Sequence, residues 1–180
     1  MIYLISFISW EKKRMSKLVI IRGNSASGKT ITAKAIQNYY PRGTVMRISQ
    51  DEIRLGILNV KDRVDNPTAG LIQQIAEFGK EKFEIIVIEG ILGSHIYKEM
   101  FISLYETFQG EVHTYYYDIS FEETLTRHNQ RDLSKVFGAE RMKSWWLEKD
   151  MLGFPNETIF TAKQTQDDVV EMIIKDINLT

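Results

Sequence analysis

The run Gly23-Asn24-Ser25-Ala26-Ser27-Gly28-Lys29-Thr30 has the spacing Gly-x4-Gly-Lys-Thr, small residues leading to a lysine and a hydroxyl. Small residues let consecutive backbone N–H groups converge on an anion, and a helix opening at the end of the loop adds the positive end of its dipole. A polyphosphate is the ligand this pattern suits. Gly23 and Gly28 supply backbone freedom, Asn24, Ser25, Ala26 and Ser27 form the cradle, and Lys29 reaches the β- and γ-phosphates as a fixed positive charge. Thr30 adds a hydroxyl for a magnesium shell, so ATP with Mg2+ is the expected cofactor pair.

Chemistry beyond the phosphates needs an acceptor side. Ser49-Gln50-Asp51-Glu52-Ile53-Arg54 follows a second apolar run. Asp51 is suited to take the proton of an acceptor hydroxyl, and Arg54, one helical turn on, to pair with an anionic group of the same acceptor. A structural reading stands beside this one, because Ser49 and Glu52 form the Ser-x-x-Glu pattern of a capping box and acids favour first helical turns. Glu89-Gly90 closes a third apolar run. There the carboxylate would hold magnesium through water, hydrogen-bond the acceptor or cap the next helix, and the glycine permits close backbone approach. Asp118 closes the fourth apolar run as a second carboxylate candidate, and reads foremost as a helix cap before Phe121. Arg127 and Arg131 share one helical face at i and i+4. As a solvated face they would do nothing, but beside a phosphate loop they are suited to close over the triphosphate and neutralise charge during transfer. With Lys135, Arg141 and Lys143 they mark a basic lid over about residues 127–150. Trp145 and Trp146 cannot both face a core, so one is available for packing or for stacking on a base.

These side chains require a frame that collects strand ends. Leu18 to Arg22, Thr44 to Ile48, Ile85 to Glu89, Val112 to Tyr117 and Thr158 to Phe160 are short apolar runs, five strand candidates in all. Between them Ile96, Tyr97, Met100, Phe101, Leu104, Tyr105 and Phe108 recur at helical spacing, as do Val169, Val170, Ile173, Ile174 and Ile177. Alternating strands and helices imply a parallel sheet covered on both faces, and Ile85-Ile86-Val87-Ile88 lacks alternation, as a doubly buried strand should. Ligands of such sheets sit at the carboxyl ends of the strands, which is where Gly23, Asp51 and Glu89 fall. Tyr115, Tyr116 and Tyr117 are expected to pack within the fourth strand.

Composition narrows the partners. With 23 Lys and Arg against 24 Asp and Glu, no bulk charge favours nucleic acid or a membrane surface. Cysteine is absent, which excludes disulfides, thiolate metal sites and a cysteine nucleophile. The apolar stretch Met1 to Trp10 is shorter than the roughly 20 residues a span requires. Its basic cluster follows the apolar part, the reverse of an export signal. Residues 1–14 therefore read as an extension or a misassigned start, with a short, marginally binding membrane-surface anchor as the alternative, ahead of a single domain over 15–180, in a protein expected to be cytoplasmic with no membrane and no obligate protein partner.

On these residues the chain resembles a P-loop kinase group that includes zeta toxins, polynucleotide 5′-hydroxyl kinases and small antibiotic or nucleoside kinases. The resemblance runs from about Lys17 to the C-terminus and rests on Gly23 to Thr30, Asp51-x-x-Arg54, Ile88-Glu89-Gly90, and Arg127 with Arg131. Bacterial proteins with a similar Arg-Gly-Asn-Ser loop and Trp-Trp-Leu-Glu-Lys-Asp segment are often called uridine kinase-like. The resemblance implies a three-layer α/β/α sandwich with a five-stranded parallel sheet in the order 2-3-1-4-5 and a helical lid. From polynucleotide kinases it implies a general base at Asp51 and an acceptor-phosphate contact at Arg54, and from zeta toxins acceptor contact at Glu89. Three functions follow as expectations. The first is an ATP-dependent phosphotransferase acting on a hydroxyl of a small acceptor such as a nucleoside or sugar nucleotide. The second is a polynucleotide 5′-hydroxyl kinase, in which nucleic acid enters only as the 5′-hydroxyl substrate. The third is a nucleotide-dependent ATPase switch whose output is a partner protein.

Overall fold

In the computed structural model, residues 15–130 and 138–179 are described. The proposed extension at residues 1–14 and the lid residues Arg131 and Lys135 lie outside them. Five strands, β1 (Lys17–Gly23), β2 (Val45–Ser49), β3 (Ile85–Gly90), β4 (Val112–Tyr117) and β5 (Glu157–Phe160), coincide with the five apolar runs to within a residue or so. They form one parallel sheet in the order β2-β3-β1-β4-β5, as expected for a P-loop α/β sandwich.

Because side chains on a strand alternate in direction, each inner strand feeds two cores. Leu18 and Ile20 of β1 and Ile86 and Ile88 of β3 point to one face, where they pack with Ile72 and Ala76 of α2 (Thr68–Gly79) and Tyr97, Phe101 and Leu104 of α3 (Ser94–Thr107). Val19, Ile21, Ile85 and Val87 point to the other. There they meet Ala33 and Ile36 of α1 (Lys29–Tyr39) and Val169, Ile173 and Ile177 of α6 (Gln166–Leu179). The three tyrosines of β4 are all buried, Tyr115 stacking on Phe160 at 5.4 Å between ring centroids. Each large apolar side chain buried this way contributes about 1.5–3 kcal/mol. Phe101, fully buried in α3, is the kind of residue whose truncation to alanine costs about 3–5 kcal/mol.

Shorter elements finish the carboxyl edge: α4 (Phe121–Asn129), α5 (Ala139–Ser144), and a π-helix (Glu52–Ile57) directly after β2. Here the structure differs from two local expectations. Ser120, not Asp118, caps α4, its hydroxyl accepting from the Glu123 N–H at 3.3 Å. Asp118 instead uses its backbone N–H to bond Phe160 O at 2.8 Å, extending the β4–β5 pairing. No side chain caps the N-terminus of the π-helix, so the capping box drawn from Ser49 and Glu52 does not form; the Glu52 carboxylate is taken by Arg47 at 2.5 Å.

Candidate active site

The phosphate loop joins β1 to α1 with Gly23 and Gly28 both at positive φ, 139° and 117°. A Cβ on Gly23 would lie 2.8 Å from Tyr117 Cβ and 2.9 Å from Tyr117 O, so the position requires glycine for room as well as for conformation. Ala26 is also left-handed, at φ 62°, a strain of about 1 kcal/mol or more that the surrounding loop sustains. No side chain caps α1, which leaves its first N–H groups to an anion. The Lys29 ammonium is buried along the inside of the loop, donating to Asn24 O at 2.7 Å and to Ser27 Oγ at 3.3 Å.

Parallel pairing places Glu89 beside this loop, with Ile21 opposite Glu89 in the β1–β3 register. The Thr30 hydroxyl donates to Glu89 Oε2 at 2.9 Å and the Arg47 guanidinium to Oε1 at 3.2 Å. A hydroxyl and a carboxylate at this spacing suit magnesium, which commonly takes one or two carboxylates and completes its shell with phosphate oxygens and water. Among the described residues no group of three or more His, Cys, Asp or Glu could hold a metal alone. A cation here would therefore depend on the phosphates it accompanies.

Arg127, on the last turn of α4, donates through Nη1 to Ser27 O at 3.2 Å and through Nε to Glu123 at 2.8 Å. Arg127 thus reaches the backbone of the phosphate loop. Asn24 behaves differently from the other loop residues. Its side chain donates to Leu147 O at 2.7 Å and accepts from Leu147 N at 2.9 Å, so it ties the loop to the chain after α5. Three residues on, Asp150 pairs with the fully buried Arg22 at 2.6 Å and accepts from Ser94 N at 2.8 Å. Arg22 lies 5.7 Å from the ring centres of both Phe101 and Tyr116 and donates to Leu92 O at 3.0 Å. Burial pulls the arginine below its ordinary pKa, while Asp150 and Glu157 oppose that shift.

A cleft of about 550 Å³ opens beside the loop. Ser25 lines one side; Asp51, Arg54, Lys61 and Asp62 line the wall after β2; Arg141, Trp145 and Leu147 line the side formed by α5 and the chain after it. Asp51 and Arg54 are joined at 2.9 Å, and the Asp51 carboxylate is mostly exposed. Trp145 is 39% exposed with Arg141 against its ring at 5.3 Å, whereas Trp146 packs edge-on against Phe121. Another hollow, of about 350 Å³, is lined by Tyr117, Arg127, Lys163 and Gln166 among others. Gln166 adjoins the loop directly, its Oε1 being 3.0 Å from where a Cβ of Gly28 would stand.

The structure gathers Gly23 to Thr30, Glu89 and Arg127 around one loop and brings Asp51 and Arg54 to the adjoining cleft. Sequence reasoning missed Arg47, Gln50, Asp62 and Gln166. Only Arg47 left a trace, as a charge inside a strand whose neighbours are mostly apolar.

No family model matches the chain and no curated protein sequence matches it. Its backbone is nevertheless similar to solved structures. The APS kinase of Mycobacterium tuberculosis in complex with AMPPNP and APS aligns at TM-score 0.70 and 13% identity, over 92% of this chain and 99% of that one. A gluconokinase from Sinorhizobium meliloti aligns at 0.61 and 16% identity over 92% and 93%. The tunicamycin resistance protein of Deinococcus radiodurans aligns at 0.61 and 15% identity over 92% and 98%. At these identities the likeness establishes the fold alone, a P-loop α/β fold.

Proposed function

We propose that the protein is a P-loop kinase that moves the γ-phosphoryl group of ATP to a hydroxyl of a small acceptor, such as a nucleoside or sugar nucleotide. The observation that carries this reading is the shared wall: Ser25 of the phosphate loop also lines the cleft that holds Asp51 and Arg54. The AMPPNP and APS bound to the neighbouring kinase support a nucleotide donor and a separate acceptor on this fold.

In this reading the loop N–H groups and Lys29 hold the β- and γ-phosphates, with the base of ATP in the hollow beside Gln166 and Arg127. Thr30 and Glu89 would hold magnesium, which would supply positive charge to offset that of the phosphates. Asp51 takes the acceptor O–H proton as that oxygen bonds to the γ-phosphorus and the bond to the ADP oxygen breaks. Arg54 orients the acceptor through its anionic group, and Arg127 meets the charge that shifts during transfer. Positioning and charge stabilisation suffice for this reaction.

The Asp51–Arg54 contact also favours a second reading, a polynucleotide 5′-hydroxyl kinase. A net charge of −1 weighs against it, because phosphate-backbone binding depends on neutralising cations. The test of the leading reading is Asp51→Asn. ATP affinity should persist while turnover falls about 100-fold or more; unchanged turnover with a lowered melting temperature would leave Asp51 a structural residue only.

A further inference from the structure

A second carboxylate faces the cleft and has no part in the chemistry above. Asp62 belongs to the loop between the π-helix and α2, and both of its oxygens are held. Tyr97 Oη donates to Oδ1 at 2.7 Å and Gln50 Nε2 to Oδ2 at 2.8 Å. Gln50 is fixed in turn: its Nε2 also donates to Tyr97 Oη at 2.9 Å, and its Oε1 accepts from Leu92 N at 3.1 Å. Gln50 and Tyr97 are 1% and 0% exposed, whereas Asp62 is exposed on the cleft.

An amide and a phenol buried this deeply require their hydrogen bonds, so together they fix the direction of the carboxylate. Burial, reinforced by Asp62, pushes the Tyr97 hydroxyl above the ordinary tyrosine value, so it stays protonated and remains a donor. Room for the amide comes from Gly90, where a Cβ would fall 2.4 Å from Gln50 Oε1. The strand end that delivers Glu89 to the phosphate side therefore also seats the group that aims Asp62.

The two cleft carboxylates are held by different chemistry. Asp51 is joined to a guanidinium, which offsets its charge. Asp62 is held by the neutral groups Tyr97 and Gln50, with Asn66 Nδ2 further off at 3.5 Å. A carboxylate offers about four acceptor positions, so Asp62 retains charge and capacity on its open side. A rigid acceptor-only group of this kind recognises hydroxyls. Arg54, Lys61 and Arg141 on the same walls supply the complementary recognition of an anion.

We propose that Asp62 is a specificity-determining residue, accepting a hydrogen bond from a hydroxyl other than the one phosphorylated, and that the acceptor is a polyhydroxyl compound carrying an anionic group. Gln50 and Tyr97 are positioning residues that aim Asp62. The proposal rests on the cleft being the acceptor site of the kinase.

Calorimetric titration with AMPPNP and magnesium present tests it. Ribose 5-phosphate, glucose 6-phosphate and uridine 5′-monophosphate carry hydroxyls and an anion; phenyl phosphate keeps a ring and an anion without hydroxyls. The unmodified protein should bind at least one of the first three more tightly than phenyl phosphate. Asp62→Asn should weaken that binding about 10- to 100-fold, the value of a hydrogen bond to a charged group, and leave phenyl phosphate unchanged. Should Asp62→Asn fail to fold, Tyr97→Phe is read in its place for the same selective loss. The proposal is overturned if no hydroxyl-bearing probe outbinds phenyl phosphate. It is equally overturned if the variant weakens both classes alike, as a residue that only pins its loop would, or weakens neither. Incubating the bound probe with γ-labelled ATP separates the two readings. Hydrolysis without a labelled probe would sink the kinase reading even where the loss is selective, and a labelled probe with unselective binding would sink the role of Asp62 alone.

Discussion

Single side chains carry the chemistry, and their surroundings say what each substitution should do. Lys29→Ala removes the ammonium that spans the loop, and both nucleotide affinity and turnover should fall; equilibrium binding of a fluorescent ATP analogue checks the first and a coupled assay the second. Arg127 contacts the loop at Ser27 O from outside. Arg127→Ala should therefore lower kcat more than it raises the KM for ATP, since a cation acting on the shifting charge stabilises the transition state in preference to the ground state. Equal loss in both parameters would make it a binding residue. Most of this constellation could be read from sequence because glycine, lysine and hydroxyl at fixed spacing have few other uses. Asp62 and Gln50 could not, since their roles depend on Gln50 meeting Leu92 and Asp62 meeting Tyr97 across 42 and 35 residues of chain, with no local motif to mark them.

Elements bring these groups together, and two of them have measurable weak points. The chain after α5 is tied to the β1 end by Asn24 and by the Arg22–Asp150 pair. Asp150→Ala leaves a buried guanidinium short of its nearest partner, and denaturant melts should show a loss of about 3–5 kcal/mol. A loss near zero would mean that Glu157, 3.6 Å from Arg22, replaces Asp150 without penalty. On β4, burial and Lys17 hold the His113 pKa below its ordinary value. The unfolded chain therefore binds the proton more readily, so His113 contributes stability above the unfolded value of about 6.5 that is lost as pH falls toward the folded one. His113→Gln should flatten the drop in melting temperature between pH 7 and 5. At this scale the strands were legible because apolar runs buried on two faces have a plain signature. The segment after β2 was not: Ser49-x-x-Glu52 matches a capping box, yet Arg47 captures Glu52 from a neighbouring strand position and the segment forms an uncapped π-helix.

Taken whole, the molecule is a five-stranded sheet with its phosphate loop, Glu89 and the cleft of Asp51 and Arg54 along one edge. No described helix is long and apolar enough to cross a membrane. The near balance of charge makes a further statement about the acceptor. A small ligand held by a few cations should lose affinity only mildly between 50 and 200 mM salt, whereas a ligand spanning 6–10 phosphates would lose about 10³- to 10⁵-fold. Salt titration of acceptor KM therefore separates the small-acceptor reading from the polynucleotide one. The central claim is phosphoryl transfer itself. The most direct measurement is the fate of the γ-phosphate of labelled ATP with magnesium, over nucleosides, sugar nucleotides, sugar phosphates, aminoglycosides and 5′-hydroxyl oligonucleotides, with Lys29→Ala as the blank. Label appearing on one acceptor class, and lost in the blank, is the predicted result; label released only as inorganic phosphate at a rate no acceptor changes would contradict the kinase and point to a nucleotide-driven switch.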